Sequence, residues 1–148
     1  MKPQKPEEIL ASVPTYLCLS RRIGICQRII SQVFRKHLEP TGVTESQVSI
    51  LFLIAKNIHL SQSVISQALF LEKSTVSRNM RRLIDQHLIR RKSNEISLTQ
   101  KGKMLVSKLL PLWQAAMDES LELLHKEGDD SLMLVFEKLT HGANLEAA

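Results

Sequence analysis

Little in this chain would let it work by covalent or metal chemistry. It has two cysteines among 148 residues, Cys18 and Cys26, too few for a disulfide framework or a structural zinc site. They form no CxxC, which points to a reducing compartment. Its five histidines, His37, His59, His87, His125 and His141, are scattered and share no metal-ligand spacing. Phosphate-cradling GxxxxGK[ST], zinc-binding HExxH, the nucleophile elbow GxSxG and dinucleotide-binding GxGxxG are all missing. The expectation is therefore no enzyme, no cofactor and no metal. Glycine and proline number five each, which excludes collagen-like and linker-like chains. No apolar run approaches the ~20 residues of a bilayer span. Met1–Glu8 leads into no signal-type apolar segment and reads as a solvated tail, so a cytoplasmic, membrane-free protein is expected.

What is present is an ordinary globular composition, 43% hydrophobic and 24% charged, which excludes a wholly disordered chain. The formal net charge of +5 suits a polyanionic partner, although many unrelated proteins carry as much.

Hydrophobic periodicity predicts four helices, a short hairpin, a long helix and a last helix. The first runs from about Pro14 to Leu38, with Leu19, Ile23, Cys26, Ile30, Val33 and Phe34 at three- and four-residue steps. Leu17, Ile25 and Ile29 widen this stripe until it needs cover on more than one side. Glu39-Pro40-Thr41-Gly42 ends the helix. Thr44 and Gln47 form a capping box for the second helix, with Val43 and Val48 at the staple positions. Ser61 caps a short third helix ending near Leu69, and a tight turn leads into a fourth over about 73–86. Leu88–Lys92 and Glu95–Leu98 around Ser93-Asn94 predict a hairpin. Thr99 caps the long helix, whose apolar positions include Leu105, Leu109, Leu112, Ala116 and Leu123. Pro111 should bend it or leave a carbonyl unpaired. Gly128-Asp129-Asp130 predicts a stop, with a final helix from Ser131 to about His141.

The fourth helix carries the functional signal. At 100° per residue, Val76, Met80, Leu83 and Ile84 share one side. Arg78 falls opposite, flanked by Ser74, Arg81 and Arg82, with Thr75 at the edge. Small hydroxyl residues near an N-terminus permit close backbone approach to DNA, and the positive end of the helix dipole favours a phosphate. A central arginine can bond guanine O6 and N7 together. A solvated basic face on an ordinary amphipathic helix would look alike. The neighbouring run Arg90-Arg91-Lys92 tips the balance toward DNA.

The stretches LEPTGVTESQVSIL (Leu38–Leu51), LSQSVISQALFLEKSTVSRNMRRLIDQHLI (Leu60–Ile89) and LTQKG (Leu98–Gly102) together resemble the winged helix-turn-helix of MarR/SlyA-type transcriptional regulators. The resemblance covers nearly the whole chain. It implies a mainly α fold with a small β-hairpin wing, the DNA-binding part over about 44–98, and dimerisation helices over about 10–38 and 99–145. It further implies a homodimer on a pseudo-palindromic double-stranded DNA operator, most simply as a repressor, with a small apolar or aromatic effector as a further partner. The DNA-binding residues would be Ser74, Thr75, Ser77, Arg78, Arg81, Arg82, Arg90, Arg91 and Lys92. Trp113 and Met117 are candidate pocket residues, against a plainer role in the core or a dimer contact.

Two positions depart from the family pattern. His87 stands where glycine is usual, so it should adopt a left-handed conformation. Only Arg90–Glu95 separates Ile89 from Ile96, without the family's Asp-x-Arg, which directs Arg90, Arg91 and Lys92 to phosphates rather than the minor groove. The short wing motivates an alternative, a helical dimeric interaction module with weak or lost DNA binding. A second alternative is a thiol-based redox sensor of the same family using Cys18, with Arg21 and Arg22 one turn on. Both cysteines are otherwise expected to be small core hydrophobes.

Overall fold

A computed structural model of the chain describes Glu7 and residues 18–56, 60–93 and 95–142. The expected helical stretch Pro14–Leu17, His59, Asn94 and the chain beyond Gly142 lie outside the described residues. Helix α1 (Leu19–Leu38) begins later than expected, because Cys18 is an extended N-cap residue (φ −65°, ψ 112°). The helix ends in a 3₁₀ turn, Glu39–Thr41, with Pro40 in its first turn and Gly42 left-handed at φ 69°. There follow α2 (Glu45–Lys56), α3 (Gln62–Ala68), α4 (Lys73–Asp85), β1 (Ile89–Lys92), β2 (Glu95–Leu98) and α5 (Gln100–Gly142).

The caps form as the sequence dictates. Gln47 Oε1 accepts from the Thr44 N–H at 2.9 Å, and Thr44 Oγ1 accepts from the Gln47 N–H at 3.4 Å. Ser61 Oγ accepts from the Val64 N–H at 3.3 Å, and Thr99 Oγ1 from the Gly102 N–H at 3.0 Å. Each bond satisfies a donor that a helix start leaves open. The strands pair antiparallel, Ile89 with Leu98 through Lys92 with Glu95. Leu60 bridges Ile96 and adds a third edge to this wing.

The core joins Leu38 of α1, Ile50, Leu51 and Ile54 of α2, Ile65 of α3, and Val76, Met80 and Leu83 of α4. Ile89 and Ile96 of the wing and Leu109 and Ala116 of α5 complete it. Burying these aliphatic side chains contributes ~1.5–3 kcal/mol each. Phe52 meets Trp113 edge to face at 5.9 Å, which places Trp113 in the packing between α2 and α5.

Three expectations give way. Gly128-Asp129-Asp130 does not stop α5; the helix is interrupted instead at His125 (φ 53°, ψ 175°). A single glycine costs a helix only ~1 kcal/mol, too little to end it. Nothing in the local sequence explains the choice of His125. Pro111 lies within the helix, where non-helical angles occur only at His125. Leu123 and Ile84, expected to face the core, are exposed. Cys18 and Cys26 are exposed as well, because the described residues leave the N-terminal half of α1 uncovered: Leu19, Ile23, Ile25 and Ile29 are all exposed. The far limb of α5 is similar, with every residue from Ser131 to Leu139 exposed, Leu132, Met133, Leu134 and Phe136 among them. Among the described residues, no helix is long and apolar enough to cross a membrane.

Candidate nucleic-acid interface

Helices α3 and α4 meet through a turn with the bonding of a helix-ending Schellman motif. Phe70 is left-handed at φ 52°. The Leu71 N–H reaches the Ser66 carbonyl at 3.1 Å, and the Phe70 N–H the Gln67 carbonyl at 3.3 Å. Ser66 Oγ donates to the Leu71 carbonyl at 2.6 Å, and Gln62 Nε2 to the Lys73 carbonyl at 3.4 Å. A phenylalanine therefore does what glycine usually does there, which is why the motif is faint in sequence.

Helix α4 ends the same way. His87 is left-handed at φ 58°, as its place before Leu88-Ile89 requires. Its N–H reaches the Ile84 carbonyl at 2.8 Å, and the Leu88 N–H the Leu83 carbonyl at 2.9 Å. Thr99 Oγ1 donates to the His87 carbonyl at 2.7 Å, and Lys101 Nζ to that of Gln86 at 2.8 Å. A Cβ on Gly102 would collide with the Leu88 carbonyl oxygen. The end of α4 is thus locked to the start of α5 through backbone carbonyls, which fixes the direction in which α4 projects.

What α4 projects is a polar, basic face. Val76, Met80 and Leu83 are buried; Ser74, Ser77, Arg78, Arg81 and Arg82 are exposed, and Thr75 is half-buried. Ser74, Arg78 and Arg82 follow at steps of four along ~12 Å of helix. Among the described residues, none of Arg78, Arg81 and Arg82 has a hydrogen-bond or ion-pair partner. Glu72, the α4 N-cap, contributes no side-chain capping bond.

The wing divides the basic triplet that is continuous in sequence. Side chains alternate along a strand, so Arg90 and Lys92 share one face. Arg90 Nε donates to Ser97 Oγ at 3.1 Å. Arg91 falls on the face of Ile89 and Ile96 and donates from Nε to the Ser93 carbonyl at 3.2 Å, closing the turn in which Ser93 is left-handed at φ 56°. Arg91 is therefore placed as a turn-holding residue, which contiguity alone does not reveal.

Away from this face, Glu119 of α5 joins α1. His37 Nε2 lies 2.7 Å from Glu119 Oε2, and Lys36 Nζ 3.0 Å from the same oxygen. The His37 hydrogen bond first, and Lys36 second, hold the Glu119 carboxyl below the usual carboxylate range. A cavity of about 550 Å³ lies between α1 and the start of α2, where Arg28 and Arg35 stand among Glu39 and Glu45. A second, of about 340 Å³, lies among the 3₁₀ turn, the end of α4 and the start of α5. Trp113 and Met117 line neither. Both are half-buried and pack against the core.

Residues 41–95 match the family model described as MarR family. Over that segment the chain is similar to the MarR family. No curated protein sequence matches it. Among solved structures it is similar to the M. tuberculosis transcriptional regulator MosR, at 24% identity and TM-score 0.76, over 86% of this chain and 96% of that one. It is similar to the transcriptional repressor CouR bound to p-coumaroyl-CoA, at 22% identity and TM-score 0.75, over 82% and 91%. A MarR family protein of M. tuberculosis in complex with DNA aligns at 19% identity and TM-score 0.64, over 82% and 96%. At these identities the likeness establishes the fold, including the long helices that flank the matched segment.

Proposed function

We propose that the protein is a DNA-binding transcriptional regulator acting as a homodimer, with two copies of α4 in successive major grooves of a pseudo-palindromic operator, and that it represses. The observation that carries this is the row of exposed arginines on α4, without partners among the described residues, opposite a buried Val76-Met80-Leu83 stripe. A protein that held these cations for its own stability would pair them. Ser74, Thr75 and Ser77 bring the helix close to the groove, Arg78 reads base edges, and Arg81 and Arg82 reach the flanking backbone. Arg90 and Lys92 of the wing hold phosphates, while Arg91 keeps the turn closed.

The dimer rests on apolar surface that one chain leaves bare. Residues 99–142 and the described part of the first helix form its frame, and Leu19, Ile23 and Ile29 of α1 with Leu132, Leu134 and Phe136 of α5 form its contact. Exposed apolar area on this scale belongs to an obligate interface, which buries more than ~2,000 Å². Cys26 lies three residues after Ile23 on this same α1 face, so both it and Cys18 pack in the dimer as small apolar groups. One structural relative is in complex with DNA and another is bound to p-coumaroyl-CoA, which supports a regulator that answers to a small molecule.

The test is selection of bound fragments from the genome of the source organism, followed by fluorescence anisotropy on the enriched site and on random duplex. Enrichment of an inverted repeat with half-sites ~34–36 Å apart supports the reading. Equal affinity for every duplex would leave α4 contributing charge alone and would favour the interaction-module alternative.

A further inference from the structure

The turn between α3 and α4 carries a side chain that the turn itself does not need. Phe70 is left-handed at φ 52°, a region where a bulky residue is an outlier and glycine meets no steric cost. The two backbone bonds of the turn, Leu71 N–H to the Ser66 carbonyl and Phe70 N–H to the Gln67 carbonyl, would form equally well with glycine. Leu69 and Leu71 on either side are half-buried and pack against the core. Phe70 turns outward and is 58% exposed, against 43% for Val64 of α3 and 38% for Ile84 of α4. It therefore costs the chain twice, in backbone conformation and in apolar surface left in water. Nothing within the described residues offsets either cost.

We propose that Phe70 reads the 5-methyl group of a thymine in each operator half-site, an inference that rests on the regulator reading. Phe70 stands four residues before Ser74, so the two lie within ~14 Å, about four base steps at ~3.4 Å. Lys73 and Ser74 are exposed beside it, at the end of α4 that approaches the groove. The thymine methyl is the apolar group that base pairs present in the major groove, and a phenylalanine ring covers it without a hydrogen bond. Glu72 is exposed at the same corner and repels phosphate, which favours a base edge over the backbone there. Arg78 reads its base through hydrogen bonds, whereas Phe70 reads its base by keeping water from a methyl group. The thymine therefore falls within about four base pairs of the one that Ser74 approaches.

The experiment measures anisotropy of the full-length protein on the selected duplex and on duplexes with one thymine at a time replaced by deoxyuridine. That replacement removes the methyl group and keeps the base pair. Expected is a thymine in each half-site whose replacement weakens wild-type binding about fourfold, the effect of one buried methyl, and about fifteenfold when both are replaced. Phe70→Asn keeps a residue suited to the left-handed turn. It should bind the unsubstituted duplex about fifteenfold less tightly, since both copies lose the ring, and should no longer distinguish thymine from uracil at those positions. Phe70→Tyr keeps the ring and should retain the distinction. Phe70→Gly should lose the distinction while unfolding at higher urea than wild type, which separates recognition from the stability of the turn. An operator without thymine at matching places in its half-sites overturns the inference. Methyl effects that Phe70→Asn leaves unchanged, on an operator that wild type does select, overturn it alone. A protein that prefers no duplex overturns the regulator reading and this inference together.

Discussion

His87→Gly should stabilise the protein. His87 holds φ 58°, a left-handed conformation that costs a residue with a Cβ ~1–2 kcal/mol. Glycine pays nothing there, but its unfolded chain is freer, which returns ~0.5–1 kcal/mol. Nothing else changes. The His87 side chain is exposed and makes no hydrogen bond among the described residues. What holds the corner is backbone: the carbonyl that accepts from Thr99 Oγ1 at 2.7 Å and the N–H that reaches Ile84 at 2.8 Å. Glycine keeps both. The net gain is ~0.5–1 kcal/mol, or ~1–4 °C in Tm for a chain of this size. Urea denaturation at one fixed protein concentration reads it, since a dimer's stability depends on concentration. His87→Val should fall below wild type, because a β-branched residue tolerates this region worst. The reasoning is refuted if glycine is no more stable than histidine and valine no less.

Gly102→Ala should cost ~2 kcal/mol or more, because its Cβ meets the Leu88 carbonyl, backbone locked in the corner that ends α4; chemical denaturation measures it. Glu119 is ionised more readily in the folded state than in the unfolded one. Its stabilisation is therefore complete above the ordinary value of 4.5 and is lost as pH falls through the lowered folded value. Glu119→Gln should flatten that acid-side loss, with both proteins converging at the lowest pH in urea midpoints. Arg78→Ala should cost ~1–3 kcal/mol on the selected site and much less on random duplex, whereas Lys92→Ala should weaken both alike and lower the salt slope by ~1; anisotropy across a salt series separates them. Phe136→Glu should shift sedimentation toward monomer at micromolar concentration, because it places a charge in the proposed apolar contact.

The parts of this molecule readable from sequence are those settled within one turn of helix. Thr44 with Gln47, Ser61 and Thr99 announced their caps because a cap needs only a side-chain oxygen and an open N–H three residues on. Arg78 opposite Val76, Met80 and Leu83 followed from the 100° step. His87 followed from the resemblance, which has glycine at the position just before Leu88-Ile89. Where two states differ by little, sequence decided poorly. Gly128 is compatible with a helix at ~1 kcal/mol, and α5 runs through it, breaking at His125 instead. Contiguity at Arg90-Arg91-Lys92 hid the strand alternation that sends Arg91 to the opposite face. The cavity over Lys101 and Lys108 was invisible, since its walls come from residues 41–43, 86–88 and 101–108.

The first helix shows why apolar periodicity cannot by itself assign a core. Val33, Phe34 and Leu38 are buried by their own chain, whereas Leu19, Ile23 and Ile29 on the same helix are exposed. Both sets satisfy the same rule, since burial against α5 and burial against a second copy remove apolar surface from water alike. The two exposed faces of the molecule nevertheless differ in the chemistry they ask for. The N-terminal half of α1 and the limb beyond His125 present aliphatic and aromatic side chains, which water penalises and another apolar face would cover. Helix α4 presents arginines and hydroxyls, which water already satisfies and which gain only from an acceptor that offers more than water does. On the proposed function, a second copy of the chain answers the first face, and a phosphate backbone with base edges answers the second. The Thr99, Lys101 and Gly102 contacts at the end of α4 are where the element carrying the one face is fixed to the element carrying the other.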